Sequence, residues 1–147
     1  MSNTFVIESS EQTVVFTLGD ESYCIDIFRV NEIIRLREIT PIPGSPSHIK
    51  GLVNLRGKTI PVIDLRLRLG LPQVSESDDS RIIVVETEQG NMGIIVDSVR
   101  EVFTVQPEIV DQAPTLIANI DTDFVRGVAK RGTSLVTMLN LDLAIAA

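Results

Sequence analysis

Few side chains in this sequence have the type and spacing to do covalent chemistry. His48 is the one histidine and Cys24 the one cysteine among 147 residues. A histidine with no second histidine or cysteine to join it does not build the usual zinc site, and no serine stands in pattern with it for a nucleophilic triad. His48 therefore reads as a neutral surface side chain. Cys24, between Tyr23 and Ile25 in a strand-like segment, reads as a buried inert thiol with no internal disulfide partner. A lone thiol fits a reducing cytoplasm. Asp121 and Asp123 could approach a cation, but an i, i+2 pair without a Gly-containing calcium loop is a weak signal. Asp78 and Asp79 read as solvated. There is no phosphate-cradling loop and no dinucleotide fingerprint, and the carboxylates are too scattered to share a cleft. The sequence thus predicts no enzyme, no metal and no cofactor.

What remains is recognition, and charge sets its terms. The 13 Lys and Arg against 20 Asp and Glu leave a net charge of −7, which argues against general nucleic-acid binding. Aromatic residues, at 4%, supply few platforms for stacking bases. The charge is uneven: residues 1–70 carry 8 basic and 8 acidic side chains, residues 71–147 carry 5 and 12. Within 29–68 the count is 8 basic to 3 acidic. That stretch is either a solvated surface or a cationic face complementary to an acidic partner. A nucleic-acid-binding β-barrel built on it is the remote alternative.

The elements that must carry these residues are short strands. The length suits one domain or two small joined ones and buries enough surface to fold without disulfides or a structural metal. Unbroken apolar runs such as Ile82–Val85 are far too short to cross a membrane. The first 20 residues hold no Lys or Arg, unlike a secretory signal. Residues 1–12 read as a flexible polar tail. Thr13–Leu18 and Tyr23–Ile27 read as strands about a Gly19–Ser22 turn. Val30–Arg35 fits either a helical turn or an irregular strand. The three prolines of Thr40–Pro46 make a stiff connector. Lys50–Leu55 and Lys58–Leu65 form a hairpin about Arg56-Gly57, and Pro61 puts its strand at an edge or makes it irregular. Asp64 caps a short helix, Leu65–Leu69, that Gly70 ends. The polar segment 73–80 reads as an internal boundary. Two more hairpins follow, across Gln89-Gly90 and about Arg131-Gly132, with a strand Arg100–Val105 between them. Asp111–Asp123 reads as a long loop, and Asn140 caps a C-terminal helix.

The chain also repeats itself. At an offset of 69, apolar positions 25, 27, 30 and 33 fall on 94, 96, 99 and 102, and Glu32 meets Glu101. At an offset of 76, Gly51 meets Gly127, Asp64 meets Asn140 and Leu65 meets Leu141, with the Arg-Gly turn displaced by one residue. Two copies of one strand plan follow, 13–72 and 81–147. Units of this size often close as five-stranded barrels, because closure removes sticky edges.

The stretch from His48 to Leu71 closely resembles the central signature of CheW-type chemotaxis coupling proteins. Asn54-Leu-Arg-Gly57 followed by Pro61-Val-Ile-Asp-Leu65 is its most specific part. Val30-Asn-Glu-Ile33, Val96-Asp-Ser-Val99 and Phe124-Val-Arg-Gly127 also resemble the family in order, over roughly 13–145. The resemblance implies an all-β fold of two tandem five-stranded SH3-like barrels packed side by side, with short helices only. It implies a non-enzymatic cytoplasmic adaptor at membrane-bound receptor arrays. Such adaptors hold the histidine kinase CheA, through its CheW-like regulatory domain, against the cytoplasmic tip of chemoreceptors. No nucleic acid and no direct membrane insertion are implied. The alternative is a related chemosensory pathway governing surface motility or biofilm.

On this resemblance Glu32 and Arg56 form a surface ion pair near the receptor-binding face. Asn54 holds the turn by side-chain-to-backbone bonds. Gly57 and Gly51 serve the backbone. Val30, Ile33, Val96 and Val99, equivalent between the repeats, are core or line an apolar groove that takes a helical hairpin. The expected receptor-binding set is thus Val30, Glu32, Ile33, Asn54, Arg56, Gly57, Val96 and Val99. Ile39, Ile42 and Ile109, in connectors near prolines, are the candidates for a barrel-end contact with the kinase.

Overall fold

A computed structural model describes residues 9–111 and 122–146. The strands are β1 (Glu11–Leu18), β2 (Glu21–Asp26), β3 (Val30–Arg35), β4 (Ile49–Leu55), β5 (Lys58–Asp64), β6 (Arg81–Thr87), β7 (Gly90–Val96), β8 (Ser98–Val105), β9 (Val110–Asp111), β10 (Val125–Arg131) and β11 (Ser134–Leu139). Two short helices, α1 (Leu65–Leu69) and α2 (Leu141–Ile145), follow β5 and β11. The Asp64 side chain accepts from the Leu67 N–H and Asn140 from the Leu143 N–H, so both expected caps are present. Gly70, left-handed at φ 76°, ends α1. Val30–Arg35, left open by its sequence, is a strand. The last hairpin turns at Gly132-Thr133, one residue later than expected, since Arg131 still pairs with Ser134.

One sheet runs β8-β1-β2-β11-β10-β9 and the other β3-β6-β7-β5-β4. Both curl. The edges β8 and β9 are joined by residues 106–109 alone, a reach of at most about 18 Å. In a flat six-stranded sheet those edges would lie about 24 Å apart. In the second sheet Thr40, just beyond β3, exchanges two backbone hydrogen bonds of 2.8 Å with Leu52 of β4. The nearly all-β pair of barrels is the expected fold.

The expected partition, 13–72 against 81–147, describes the repeats and not the barrels. Barrel I is β1, β2 and β8–β11; barrel II is β3–β7. Each repeat sends its first hairpin into one barrel and its remaining strands into the other. The switch points are the 3-10 turn Ile27–Arg29, between β2 and β3, and Asp97, between β7 and β8. The polar segment 73–80 therefore lies within barrel II, between α1 and β6. The tail also ends sooner than expected, because β1 begins at Glu11, whose carboxylate holds Arg126 at 2.8 and 3.0 Å.

The core has three layers. Ile34, Val53, Leu55, Ile60, Val62, Ile82 and Val84 fill barrel II. Val15, Cys24, Val105, Ala129, Val136 and Met138 fill barrel I. Between them a shared layer takes Phe16, Tyr23, Ile25, Ile63, Ile83, Val85, Ile94 and Val96, closed by both helices. This explains the run Ile82–Val85: alternate residues face barrel II and the shared layer, so both faces of β6 are dry.

Pro61 is not at an edge. Its strand β5 lies between β4 and β7. Leu52, paired with Pro61, spends its N–H and C=O on Thr40, so the Leu52–Pro61 pair is a non-hydrogen-bonded one. The donor that Pro61 lacks would point toward β7, whose ladder begins at Val62. His48 is half-buried: its Nε2 is enclosed without a partner, and burial lowers its pKa, which suits the expected neutral side chain.

Candidate protein-interaction site

The hairpin that joins β4 to β5 is a two-residue turn in which Arg56 has φ 52° and Gly57 has φ 81°. Two consecutive positive φ values match the twist of a hairpin. Glycine takes such a φ at no steric cost, whereas an arginine there is strained. Arg56 is the one non-glycine with positive φ among the described residues. Two contacts hold it. The Gly57 N–H donates to Asn54 Oδ1 at 3.1 Å. The Arg56 guanidinium donates to Glu32 through both Nη atoms, at 2.6 and 2.7 Å. That fork-on-fork geometry gives direction as well as attraction. It also holds the Glu32 carboxyl below the usual carboxylate range, with Arg37 assisting.

Glu32 lies on β3 and Arg56 follows β4, the two edges of the barrel II sheet. The pair therefore crosses the seam where the barrel closes. The seam has two further stitches: the Thr40–Leu52 bridge, and Arg37 donating to the Asn54 carbonyl at 3.2 Å. Gly51 allows the bridge, since a Cβ there would lie 2.2 Å from the Thr40 carbonyl oxygen. The Arg56 side chain is 72% exposed. Beside it is a hollow of about 180 Å³ lined by Glu32, Leu55, Arg56, Lys58, Ile60 and Asn91.

The structure gathers Glu32, Asn54, Arg56 and Gly57 at this seam, with Ile33, 40% exposed, next along β3. Val30 and Val99, equivalent between the repeats, are half-buried against the shared layer. Val96 is a correction: with no exposed surface it supports the face from beneath and cannot touch a partner. The barrel-end candidates separate. Ile39 packs against the interior of barrel II and Ile109 against that of barrel I, with the shared layer between, and Ile42 is half-buried in the connector. They form two places, not one.

The cationic stretch is largely spent inside the molecule. Arg29, Lys50, Arg56 and Arg66 are in ion pairs, and Arg37 and Arg68 donate to carbonyls. Asp121 lies outside the described residues, and among the described residues no three His, Cys, Asp or Glu side chains gather as for a metal.

Sequence reasoning missed two features. Barrel I has its own seam pair, Arg131 to Glu101 at 3.1 Å, with the guanidinium over the Phe103 ring at 5.9 Å. The match of Glu32 to Glu101 signalled it, but the displaced turn hid its arginine. Each helix is also tied to a switch point: Arg66 of α1 to Asp97, and Asp142 of α2 to Arg29. Burial raises the Asp97 pKa, but the Arg66 guanidinium and the Gly19 N–H more than offset it, and the net shift is downward.

The family model for the CheW-like domain matches residues 12–147. The chain belongs to the CheW-like family. It is 36% identical over 134 residues to the chemotaxis protein CheW of Treponema pallidum, covering 88% of this chain and 79% of that one. The chemotaxis protein CheW of Bacillus subtilis is 32% identical over 143 residues, covering 97% and 91%. The crystal structure of the scaffolding protein TtCheW from Thermoanaerobacter tengcongensis matches with a TM-score of 0.85 and 38% identity, covering 100% of this chain and 95% of that one. As a CheW-like protein, this chain is a chemotaxis coupling scaffold and not an enzyme.

Proposed function

We propose that this scaffold couples a chemoreceptor to the histidine kinase CheA by holding both at once. The receptor's cytoplasmic tip lies along the barrel II seam and the adjoining face: Glu32, Asn54, Arg56 and Gly57, with Ile33, Val30 and Val99 as apolar contacts. The CheW-like regulatory domain of the kinase docks at a barrel end, on Ile39 and Ile42 of barrel II, with Ile109 offering the matching place on barrel I. The protein works in the cytoplasm and reaches the membrane only through the receptors it binds.

The observation that carries the reading is Arg56: a strained, exposed arginine aimed by a bidentate carboxylate. A glycine would suit that turn better, so the side chain is kept for what it meets. A seam for the receptor and a separate barrel end for the kinase suit a bridging role, because binding in two places raises the effective concentration of kinase at receptor. The test is a two-partner binding experiment with purified protein, a CheA regulatory domain and a receptor-tip fragment. The expected result is a ternary complex. Binding to neither partner by folded protein would refute the reading.

A further inference from the structure

The repeat lets two corners of the molecule be compared residue by residue. In each, a switch point meets a hairpin turn and the second residue of a helix. In the first corner these are Asp97, Gly19 and Arg66. The Asp97 carboxylate accepts from the Gly19 N–H at 2.6 Å and from Arg66, which also donates to the Pro72 carbonyl at 2.7 Å. Arg66 is only 9% exposed, and its guanidinium fills the corner, its donors spent on Asp97 and Pro72. At the same offsets the second corner has Phe28, Glu88 and Asp142, and it is open. A hollow of about 350 Å³ is lined by Phe28, Arg29, Glu86, Thr87, Glu88 and Asp142. Phe28 is 81% exposed, yet its backbone is fixed, since its N–H donates to Asp26 Oδ1 at 2.9 Å.

The one cation in the corner is already engaged. Arg29 donates to Asp142 at 2.8 Å and to the Glu86 carbonyl at 3.0 and 3.1 Å. The carboxylates of Glu86 and Glu88 have no ion-pair partner among the described residues. Elsewhere the chain shows what completes such a set. At the barrel I seam a guanidinium lies between the Glu101 carboxylate and the Phe103 ring. Arg68 covers Phe124 at 5.3 Å, and Phe16 stacks on Tyr23. Phe28 alone among the described phenylalanines has no ring partner.

We propose that the open corner is a docking site for an arginine-bearing segment of a partner protein, whose guanidinium lies over Phe28 and between the Glu86 and Glu88 carboxylates. Charge complementarity selects the occupant: the corner holds three carboxylates and one engaged arginine. The exposed ring favours a planar guanidinium over a compact, strongly hydrated ammonium. The site rests on the coupling reading only for the existence of a partner, and its test needs neither the kinase nor the receptor.

The experiment is a chemical-shift titration of the full-length ¹⁵N-labelled protein. The probe is an amphipathic helical peptide carrying two arginines beside leucines, with its citrulline and lysine counterparts. The arginine peptide is expected to shift the amides of Phe28, Glu88 and Asp142. It should bind at least tenfold more tightly than the citrulline peptide and more tightly than the lysine one. Phe28→Ser and Glu88→Lys, both at exposed sites, should remove these shifts with the rest of the spectrum intact. Shifts spread evenly over the acidic surface, equal binding of citrulline, or unchanged binding by both variants would overturn the assignment. None of those outcomes would bear on the ternary complex.

Discussion

Replacing Gly51 by alanine puts a methyl group where the barrel II seam has no room. The added Cβ would lie 2.2 Å from the Thr40 carbonyl oxygen, 2.7 Å from its carbon and 2.9 Å from Ile39 Cγ2. The first two are backbone atoms and cannot swing aside. The residue would also have to keep φ near 154°, where an L side chain is strained. The outcome is that Thr40 leaves Leu52. Two backbone hydrogen bonds of 2.8 Å are then lost, and Ile39 is lifted from the barrel II interior. With about 1 kcal/mol net per hydrogen bond and about 1–3 kcal/mol for backbone strain, the change costs roughly 3–5 kcal/mol. For a chain of this size the melting temperature falls by about 6–20 °C. Thermal melts followed by circular dichroism give the total. Hydrogen exchange at the Leu52 amide locates it, since that proton should lose protection ahead of those in barrel I. The proposed kinase contact through Ile39 and Ile42 should weaken in parallel. A variant that melts within about 2 °C of the parent with Leu52 still protected would refute this account of the seam.

Four further outcomes are expected. Glu32→Lys and Arg56→Glu should each leave the circular dichroism spectrum intact and cut receptor-tip affinity at least tenfold by calorimetry, and the double reversal Glu32→Arg/Arg56→Glu should recover part of it. Glu32 has its pKa depressed by Arg56, so the pair contributes above the unfolded carboxylate range and is lost as pH falls through the folded value. Receptor-tip binding should therefore be flat from neutral pH down through the usual carboxylate range and be lost only below it, and a midpoint near pH 6 would contradict it. Asp97→Ala strands the Arg66 guanidinium and the Gly19 N–H, and should cost roughly 1–3 kcal/mol in a urea titration. The Tyr23 hydroxyl is enclosed without a hydrogen-bond partner, and burial pushes its pKa up to about 12; Tyr23→Phe should melt at or above the parent temperature.

Features governed by neighbours in the chain were legible in the sequence. Turn residues, proline positions and the caps Asp64 and Asn140 marked the elements, because each acts within a few residues. The two-fold strand plan was legible for the same reason. Which barrel a strand joins was not, since pairing is settled across tens of residues: β1 finds β8, and β2 finds β11. One sign was present. Ile82–Val85 does not alternate, and a strand without alternation needs cover on both faces. At the site, Gly51, Asn54 and Gly57 could be read as backbone residues from type and spacing. The Glu32–Arg56 pair was reached only through resemblance, because nothing local joins β3 to the turn after β4. Phe28 gave no sign at all, since an apolar residue between Ile27 and Arg29 looks like core.

The exchange of hairpins between the barrels bears on how the chain is made. β1 and β2 leave the ribosome before the rest of the barrels, yet their neighbours β8 and β11 lie some 80 to 115 residues later: Glu11 pairs with Val105, and Ser22 with Val136. At ordinary elongation rates the leading hairpin waits about 5–20 s for its sheet, and a lone hairpin is marginal in water. Barrel II, continuous from β3 to β7, can form during that interval and present Ile83, Val85 and Ile94 as a wall for the waiting strands. Synthesis that stalls before β8 would leave Val14, Val15 and Phe16 without their β8 partners, on a strand edge open to other nascent chains. The exchange that unites the finished scaffold thus makes its unfinished form prone to aggregate.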